Sequence, residues 1–379
     1  MNLINIVNLG RCVKYKHFIR VMRINYNGTC QFMNALKEEK IDILGLPLDK
    51  LVNVMQVQYG KGAFHAEALY REVFKKGGGD IGHAPEFKGS PRLWSVLEKA
   101  IRLLPGRVEK TIEEEGLVKF ITRLSDELAI ESVIIPMTRH NTLCVSSQVG
   151  CKMGCKFCQT ARMGFKRSLT TSEIVGQVFN ARHLLGHDIK NLVFMGMGEP
   201  FDNFDAVMTA VRVLNSQKGC DIALRHMTIS TCGVVPGIER LALMNLPNIR
   251  LAVSINGPDD ATRSALMPVN RHWPLAALKK SLDAYPLPPR GVFLFEYILI
   301  KGVNDSREHA QALARFIHPL PVRLNLIPYN PVTGFDHQSP SDEQMHDFAQ
   351  TLTDKGVFVI KRWSKGRSVS AGCGQLGKI

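Results

Sequence analysis

Apolar residues recur at spacings of three and four over Leu51–Val57, Phe64–Phe74 and Leu93–Leu103, the period of helices with one buried face. Gly60, the run Gly77–Gly79 and Pro91 divide these stretches, so residues 41–105 read as a small helical domain. The pattern then shortens. Val118–Ile121 and Glu131–Pro136 read as short strands inside a linker that spans 106–141. From Thr142 onward, apolar strands alternate with amphipathic helices. The strands are Leu143–Val149, Asn191–Met195, Met227–Thr231, Arg250–Ile255, Val292–Ile300, Arg323–Pro328 and Val357–Lys361. The helices are Thr171–Leu185, Phe204–Leu214, Ile238–Met244, Leu275–Tyr285, His309–Ile317 and Asp342–Thr353. Thr170 and Glu173 have the spacing of a capping box at the first of them. Such alternation implies parallel βαβ units, about six of them, so 142–379 reads as an α/β partial barrel with its site at the strands' C-terminal ends. Residues 1–40 follow neither period and carry the isolated Cys12 and Cys30. They read as a poorly ordered extension, or as sequence upstream of an initiator at Met33.

Composition narrows the setting. No run approaches the roughly 18–20 apolar residues of a membrane span, and no apolar stretch near the start ends in a small-residue cleavage site. Nine cysteines in 379 residues are too few for a disulfide scaffold, and their clustering points to ligation in a reducing compartment, the cytoplasm. Lys and Arg outnumber Asp and Glu by 48 to 34, a net charge of +14 that favours a polyanionic partner through counterion release. Arg71, Lys75 and Lys76 form a basic patch in the helical domain, either a nucleic-acid contact or a solvated face.

The chemistry concentrates in Cys151-Lys-Met-Gly-Cys155-Lys-Phe-Cys158, just after the first barrel strand. Three thiolates on one loop hold a [4Fe-4S] cluster and leave one iron open, whereas a structural zinc site takes four protein ligands. An open iron can chelate the amino and carboxylate groups of S-adenosylmethionine, whose reductive cleavage gives a 5′-deoxyadenosyl radical. Phe157 is placed to cover the cluster. A zinc knuckle with a distant fourth ligand is the rival reading. After the next strand comes Gly196-Met-Gly-Glu199-Pro200. Here glycines such as Gly198 admit a ligand to the backbone, and Glu199 can accept hydrogen bonds from the ammonium or ribose of the cofactor.

Together with Cys144-Val-Ser-Ser-Gln-Val-Gly-Cys151, Asn325-Leu-Ile-Pro-Tyr-Asn330-Pro331 and Cys373-Gly-Gln-Leu376, these blocks make the chain resemble the radical SAM RNA methyltransferases of the RlmN/Cfr family from about Ile41 to Ile379. The resemblance extends to the helical stretch Gly60–Phe74, which is similar to the family's RNA-contacting accessory domain. It implies methylation of an adenine carbon in RNA, C2 in the RlmN branch and C8 in the Cfr branch. Amidine carbons of this kind are not nucleophilic, so displacement on the sulfonium cannot methylate them.

By the same resemblance the enzyme uses two molecules of S-adenosylmethionine per turnover. One methylates Cys373. The other supplies a radical that takes a hydrogen from that methyl group, and the methylene radical adds to the adenine. Glu131 then removes a proton, and Cys144 attacks Cys373 to form a transient disulfide and free the base. Ser230, Ser254, Ile255, Asn256 and Asn330 fall where the family binds the cofactor, and a flavodoxin-type protein is the implied reductant. The implied substrates are 23S rRNA at the peptidyl-transferase centre and tRNA, with the target base flipped out or unpaired. Cys12, Cys30, Cys220 and Cys232 receive no role.

Three positions bear on the branch and the substrate. Asn256 stands where the family usually has His, and Ser368-Val-Ser-Ala-Gly372 replaces an acidic Asp-Ile-Asp-Ala-Ala run before the C-terminal cysteine. Pro200 matches the C2 branch, since the C8 branch more often has Ala there. Two other classes compete: a radical enzyme with a small-molecule or protein substrate, and a non-catalytic RNA-binding protein on the same fold. The Cys144/Cys373 pair argues against the first and the intact triad against the second.

Overall fold

The computed structural model describes residues 40–79, 81–246, 248–363, 366 and 369–377. Apart from Lys40, the proposed extension 1–40 lies outside the described residues.

The chain enters through β1 (Ile41–Asp42), followed by the helices α1 (Leu48–Tyr59), α2 (Ala63–Lys76), α3 (Pro85–Lys88) and α4 (Pro91–Ala100). The turn after α4, expected to be helical, is instead the strand β2 (Ile101–Arg102), which pairs in parallel with β1. Leu51 and Met55 of α1, with Leu69, Tyr70, Val73 and Phe74 of α2, are the buried face that the three-and-four spacing requires.

Residues 106–141 hold the two short strands expected there, but a third strand accompanies them in place of a linker. They form three strands, β3 (Arg107–Glu114), β4 (Leu117–Arg123) and β5 (Ala129–Pro136), which join the main sheet as an antiparallel ribbon. Most of β4 and β5 is buried, whereas β3 is an outer strand with exposed Arg107, Glu109 and Lys110. Charge on an outer strand blocks edge-to-edge pairing, and it is also what makes the segment read as a loop.

Next come β6 (Asn141–Cys144), the short strands β7 (Gln148–Val149) and β8 (Arg167–Ser168) flanking the helix α5 (Gln159–Arg162), and then α6 (Thr171–Phe179). The capping box is present at α6: Thr170 accepts from the Glu173 N–H, and Glu173 accepts from the Thr170 N–H. The alternation then runs β9 (Ile189–Phe194), α7 (Phe204–Asn215), β10 (Met227–Thr231), α8 (Val235–Leu243), β11 (Arg250–Ser254), α9 (Asp260–Leu266) and α10 (Leu275–Asp283). It closes with β12 (Phe293–Leu299), α11 (Arg307–Ile317), β13 (Val322–Pro328), α12 (Asp342–Thr353) and β14 (Phe358–Lys361).

One sheet holds ten strands in the order β14-β13-β12-β11-β10-β9-β6-β5-β4-β3. Every pairing from β6 to β14 is parallel, with helices between successive strands. This is the α/β partial barrel of βα units expected from the alternation. Its helices pack apolar faces onto the sheet, as in α11 with Ala310, Leu313, Ala314 and Ile317. Each such large aliphatic side chain contributes about 1.5–3 kcal/mol on burial. The helical module is joined to the barrel by polar contacts: Ser172 Oγ donates to Asp42 (2.7 Å), and Arg212 and Lys218 pair with Asp49 and Glu67.

Candidate active site

The cluster loop is held by a hairpin of its own. Strands β7 and β8 pair antiparallel, Gln148 opposite Ser168 and Val149 opposite Arg167, so the chain leaves the barrel, makes the loop and returns. Arg167 pins the return through Asp126 (2.7 Å) and Glu173 (2.8 Å). Gly150 opens the loop at φ +75°, and a Cβ there would overlap the Gly164 carbonyl, so no other residue fits.

Cys151, Cys155 and Cys158 line one cleft at the C-terminal ends of the strands, with Met153 and Phe157 beside them. Phe157 is buried at the cleft wall. Among the described residues no three His, Cys, Asp or Glu side chains converge on a single metal ion. A polynuclear cluster makes a different demand, because each of its irons takes its own thiolate. Three cysteines around one concave site fit that donor set. Burial pushes the Cys151 thiol up to about 12 and raises that of Cys155 well above its ordinary range.

The Gly196–Pro200 turn forms the next wall. Gly198 sits at φ +96°, and a Cβ on it would lie 2.5 Å from Cβ of Gln148. Glu199 is buried, and its carboxylate accepts the N–H groups of Phe201 (3.2 Å) and Cys232 (2.8 Å). Burial raises its pKa, and these hydrogen bonds oppose the rise. Ser230 and Ser254, at the ends of β10 and β11, also line the cleft.

Asn256 borders the cleft, but its amide is engaged in the scaffold. Its Oδ1 accepts the Ile298 N–H (2.8 Å) and its Nδ2 donates to Met267 Sδ (3.3 Å), at a φ of +52° that Asn tolerates. Ile255 stays out of the cleft, with its side chain fully buried, its N–H on Glu296 O and its carbonyl on Gly257 and Arg263. Asn330 does not line the cleft either; its Nδ2 donates to the Cys373 carbonyl (3.1 Å).

Cys373 faces the same cleft as the triad. The Gln159 N–H donates to Gly374 O (2.7 Å), the Thr160 hydroxyl to Leu376 O (2.6 Å) and the Gly377 N–H to Glu131 Oε2 (2.6 Å). The C-terminal loop is thus fastened to the helix that follows the cluster loop. Cys373 is open to solvent at the cleft, yet the protein around its sulfur raises the thiol to about 11. Glu296 adds to that rise and Arg362 opposes it. Cys144, buried at the end of β6, is raised to about 12 by burial and then by the nearby Cys373. Both are free thiols. Glu131 is fully buried on β5, ion-paired with Lys119 at 3.2 Å.

Several residues at the site carry no motif. Cys232, without a role in the sequence reading, lines the cleft beside Glu199. Glu296 projects from β12 into the cleft and accepts from Asn325 Nδ2 (2.7 Å), while Asn325 Oδ1 accepts from Arg362 Nε (2.6 Å). Arg263 is fully buried and ties the strand ends together, donating to the carbonyls of Cys232 (2.6 Å), Ile255 (3.1 Å) and Ser254 (3.3 Å) and to Asn270 Oδ1 (2.7 Å). A buried guanidinium that meets carbonyls rather than carboxylates has no sequence signal.

The basic patch is mostly neutralised. Arg71 pairs with Glu72 (2.9 Å) and Glu86 (3.0 Å), and Lys76 with Glu72 (3.0 Å), while Lys75 is exposed.

The radical SAM superfamily model matches residues 145–316, the part of the chain that holds the triad and the strand ends. The "probable dual-specificity RNA methyltransferase RlmN 1" of Protochlamydia amoebophila is 41% identical over 344 residues, 91% of this chain and 96% of that protein. The dual-specificity RNA methyltransferase RlmN of Desulfotalea psychrophila is 38% identical over 89% of this chain and 95% of its own. A crystal structure of a radical SAM methyltransferase from Sphaerobacter thermophilus superposes with a TM-score of 0.81 at 35% identity, covering 89% of this chain and 99% of that one. Likeness of that extent, on a barrel whose cleft gathers the triad and Cys373, makes this chain a member of the RlmN family of radical SAM RNA methyltransferases.

Proposed function

We propose that this enzyme methylates C2 of an adenine in RNA, in 23S rRNA at the peptidyl-transferase centre and in tRNA, through a methyl group carried on Cys373. The observation that carries this reading is the placement of Cys373 in one cleft with Cys151, Cys155 and Cys158. A carrier must reach the place where the radical forms, and a cysteine elsewhere on the surface could not.

The triad would hold a [4Fe-4S] cluster, and Gly198, Glu199, Ser230 and Ser254 would bind S-adenosylmethionine, two molecules being used per turnover. When bound, these groups supply the methyl donor and the one-electron cleavage that yields a hydrogen-abstracting radical. Everything else falls to the chain. Cys373 loses its thiol proton as it takes a methyl group from the sulfonium, and later gives up a hydrogen atom from that methyl. Its methylene carbon then bonds to the adenine. Glu131 accepts the proton from the modified carbon, and the unpaired electron of the adduct would pass to the cluster held by the triad. Cys144 gives up its thiol proton and attacks the Cys373 sulfur, the S–C bond to the RNA breaks, the freed methylene carbon takes up a proton to become the methyl group, and a disulfide remains for external thiols to reduce. Cys144 is shielded from solvent at the end of β6, which limits its premature oxidation. Ile255, Asn256 and Asn330 support the cleft and the carrier loop through backbone and amide contacts. A flavodoxin-type reductant in the cytoplasm would load the electron.

Mass spectrometry of rRNA and tRNA from a strain lacking this gene tests the assignment. Loss of a C2-methyladenosine that returns with the wild-type gene is expected. Unchanged C2-methyladenosine, or loss of a C8-methyl product instead, contradicts it.

A further inference from the structure

Lys119 is a buried charge that the steps above do not use. It lies on β4 diagonally across from Glu131 on β5, with its Nζ 3.2 Å from Glu131 Oε1. A buried lysine is costly without a partner, and a purely structural need at this place would be met by an apolar side chain. The pair, however, reaches beyond the sheet. Lys119 Nζ also donates to the Ser370 carbonyl (3.4 Å), and Glu131 Oε2 accepts the Gly377 N–H (2.6 Å). Ser370 and Gly377 bracket Cys373 in sequence. One charge of the pair therefore holds each end of the loop that carries the thiol.

We infer that Lys119 is a positioning residue, forming with Glu131 a charged seat that fixes the Cys373 loop at the cleft and keeps the Glu131 carboxylate turned toward that loop. The sheet supplies the rigidity, since β4 and β5 are paired along their length and largely buried. The loop has no secondary structure of its own and depends on such contacts. The Gly377 N–H occupies the Glu131 oxygen Oε2, so the loop and the proposed base share one contact.

The inference rests on Cys373 as carrier and Glu131 as base, and its test is separable from both. Hydrogen exchange of the RNA-free, cluster-loaded protein is measured across residues 370–377 in wild type, Lys119→Met and Lys119→Arg. Lys119→Met should exchange about tenfold faster or more in this segment, with Lys119→Arg close to wild type. Lys119→Met should also lower kcat with little change in KM for RNA, because the substrate surface is untouched. Lys119→Met leaves Glu131 unpaired and could unfold, so the double variant Lys119→Met/Glu131→Gln removes both charges and should fold with the Ser370 end of the loop still exposed to exchange. Wild-type protection of 370–377 in Lys119→Met and in the double variant would overturn the inference. Failure of the underlying reading appears elsewhere: a Cys373→Ala enzyme that still makes methylated RNA removes the carrier role and leaves the exchange result standing.

Discussion

Glu199 and Cys232 are joined across neighbouring strand ends, the Cys232 N–H donating to Glu199 Oε2 at 2.8 Å. The Gly-Glu-Pro turn after β9 is thereby locked to the end of β10, and the carboxylate is oriented before any ligand arrives. Glu199→Ala should weaken S-adenosylmethionine binding about tenfold or more, near 1.4 kcal/mol. It should also destabilise the fold by about 1–3 kcal/mol, because two buried N–H donors lose their acceptor. Calorimetric titration and thermal unfolding measure the two effects. Wild-type affinity in this variant would mean that Glu199 serves only the scaffold.

Arg263 has a larger structural effect. It binds the carbonyls at the ends of β10 and β11 and the side chain of Asn270. Arg263→Met leaves those acceptors unpaired inside the barrel, and a loss of about 3–5 kcal/mol is expected in denaturant unfolding. Arg263→Lys keeps the charge but cannot span the same acceptors, so most of the loss should remain. Recovery to wild-type stability in the Lys variant would show that charge alone matters.

Glu296 makes stability depend on pH. Burial lifts its pKa from the ordinary 4.5 to about 7, against the opposing Asn325 hydrogen bond and Arg362 charge. Between these values the folded protein holds a proton that the unfolded chain has released. The Glu296 contribution is thus fully present below about pH 4.5 and declines as the pH rises toward 7. Glu296→Gln should flatten that decline in melting temperature between pH 4.5 and 7. Parallel curves for variant and wild type would place the titration elsewhere.

The ion pairs of the helical module separate two roles for its basic residues. Arg71 is committed to Glu72 and Glu86, so Arg71→Ala should lower stability by about 1 kcal/mol, modest because the pairs are partly exposed. Lys75 is exposed, and Lys75→Glu should leave stability unchanged while reducing the salt slope of RNA binding by about one or more. A stability loss at Lys75 with an unaltered salt slope would contradict this division.

The barrel and the triad were legible because each is local. The cysteines lie on one loop, Gly196–Pro200 on the next, and the three-and-four or apolar runs needed no long-range information. Within 106–141 the strands at Val118–Ile121 and Glu131–Pro136 are legible in the sequence, whereas β3 is not, because it is an outer strand rich in exposed charge and shows no clean alternation. The helix α9, only two turns long, fell below the length at which periodicity registers. Arg263, Lys119, Glu296 and Cys232 acquire their meaning only when distant strands bring carbonyls, carboxylates and thiols to one place. The basic patch failed for a related reason, since Glu86 meets Arg71 only after the module folds.

The central claim is that Cys373 carries carbon to RNA and Cys144 releases it, and trapping the covalent adduct tests it most directly. In Cys144→Ala nothing remains to attack the Cys373 sulfur once the RNA is bonded to it. Protein purified from cells should carry a nuclease-resistant nucleotide mass on the peptide containing Cys373, absent from Cys373→Ala and from any variant lacking the triad. A Cys144→Ala enzyme that turns over at the wild-type rate and carries no RNA would contradict the account.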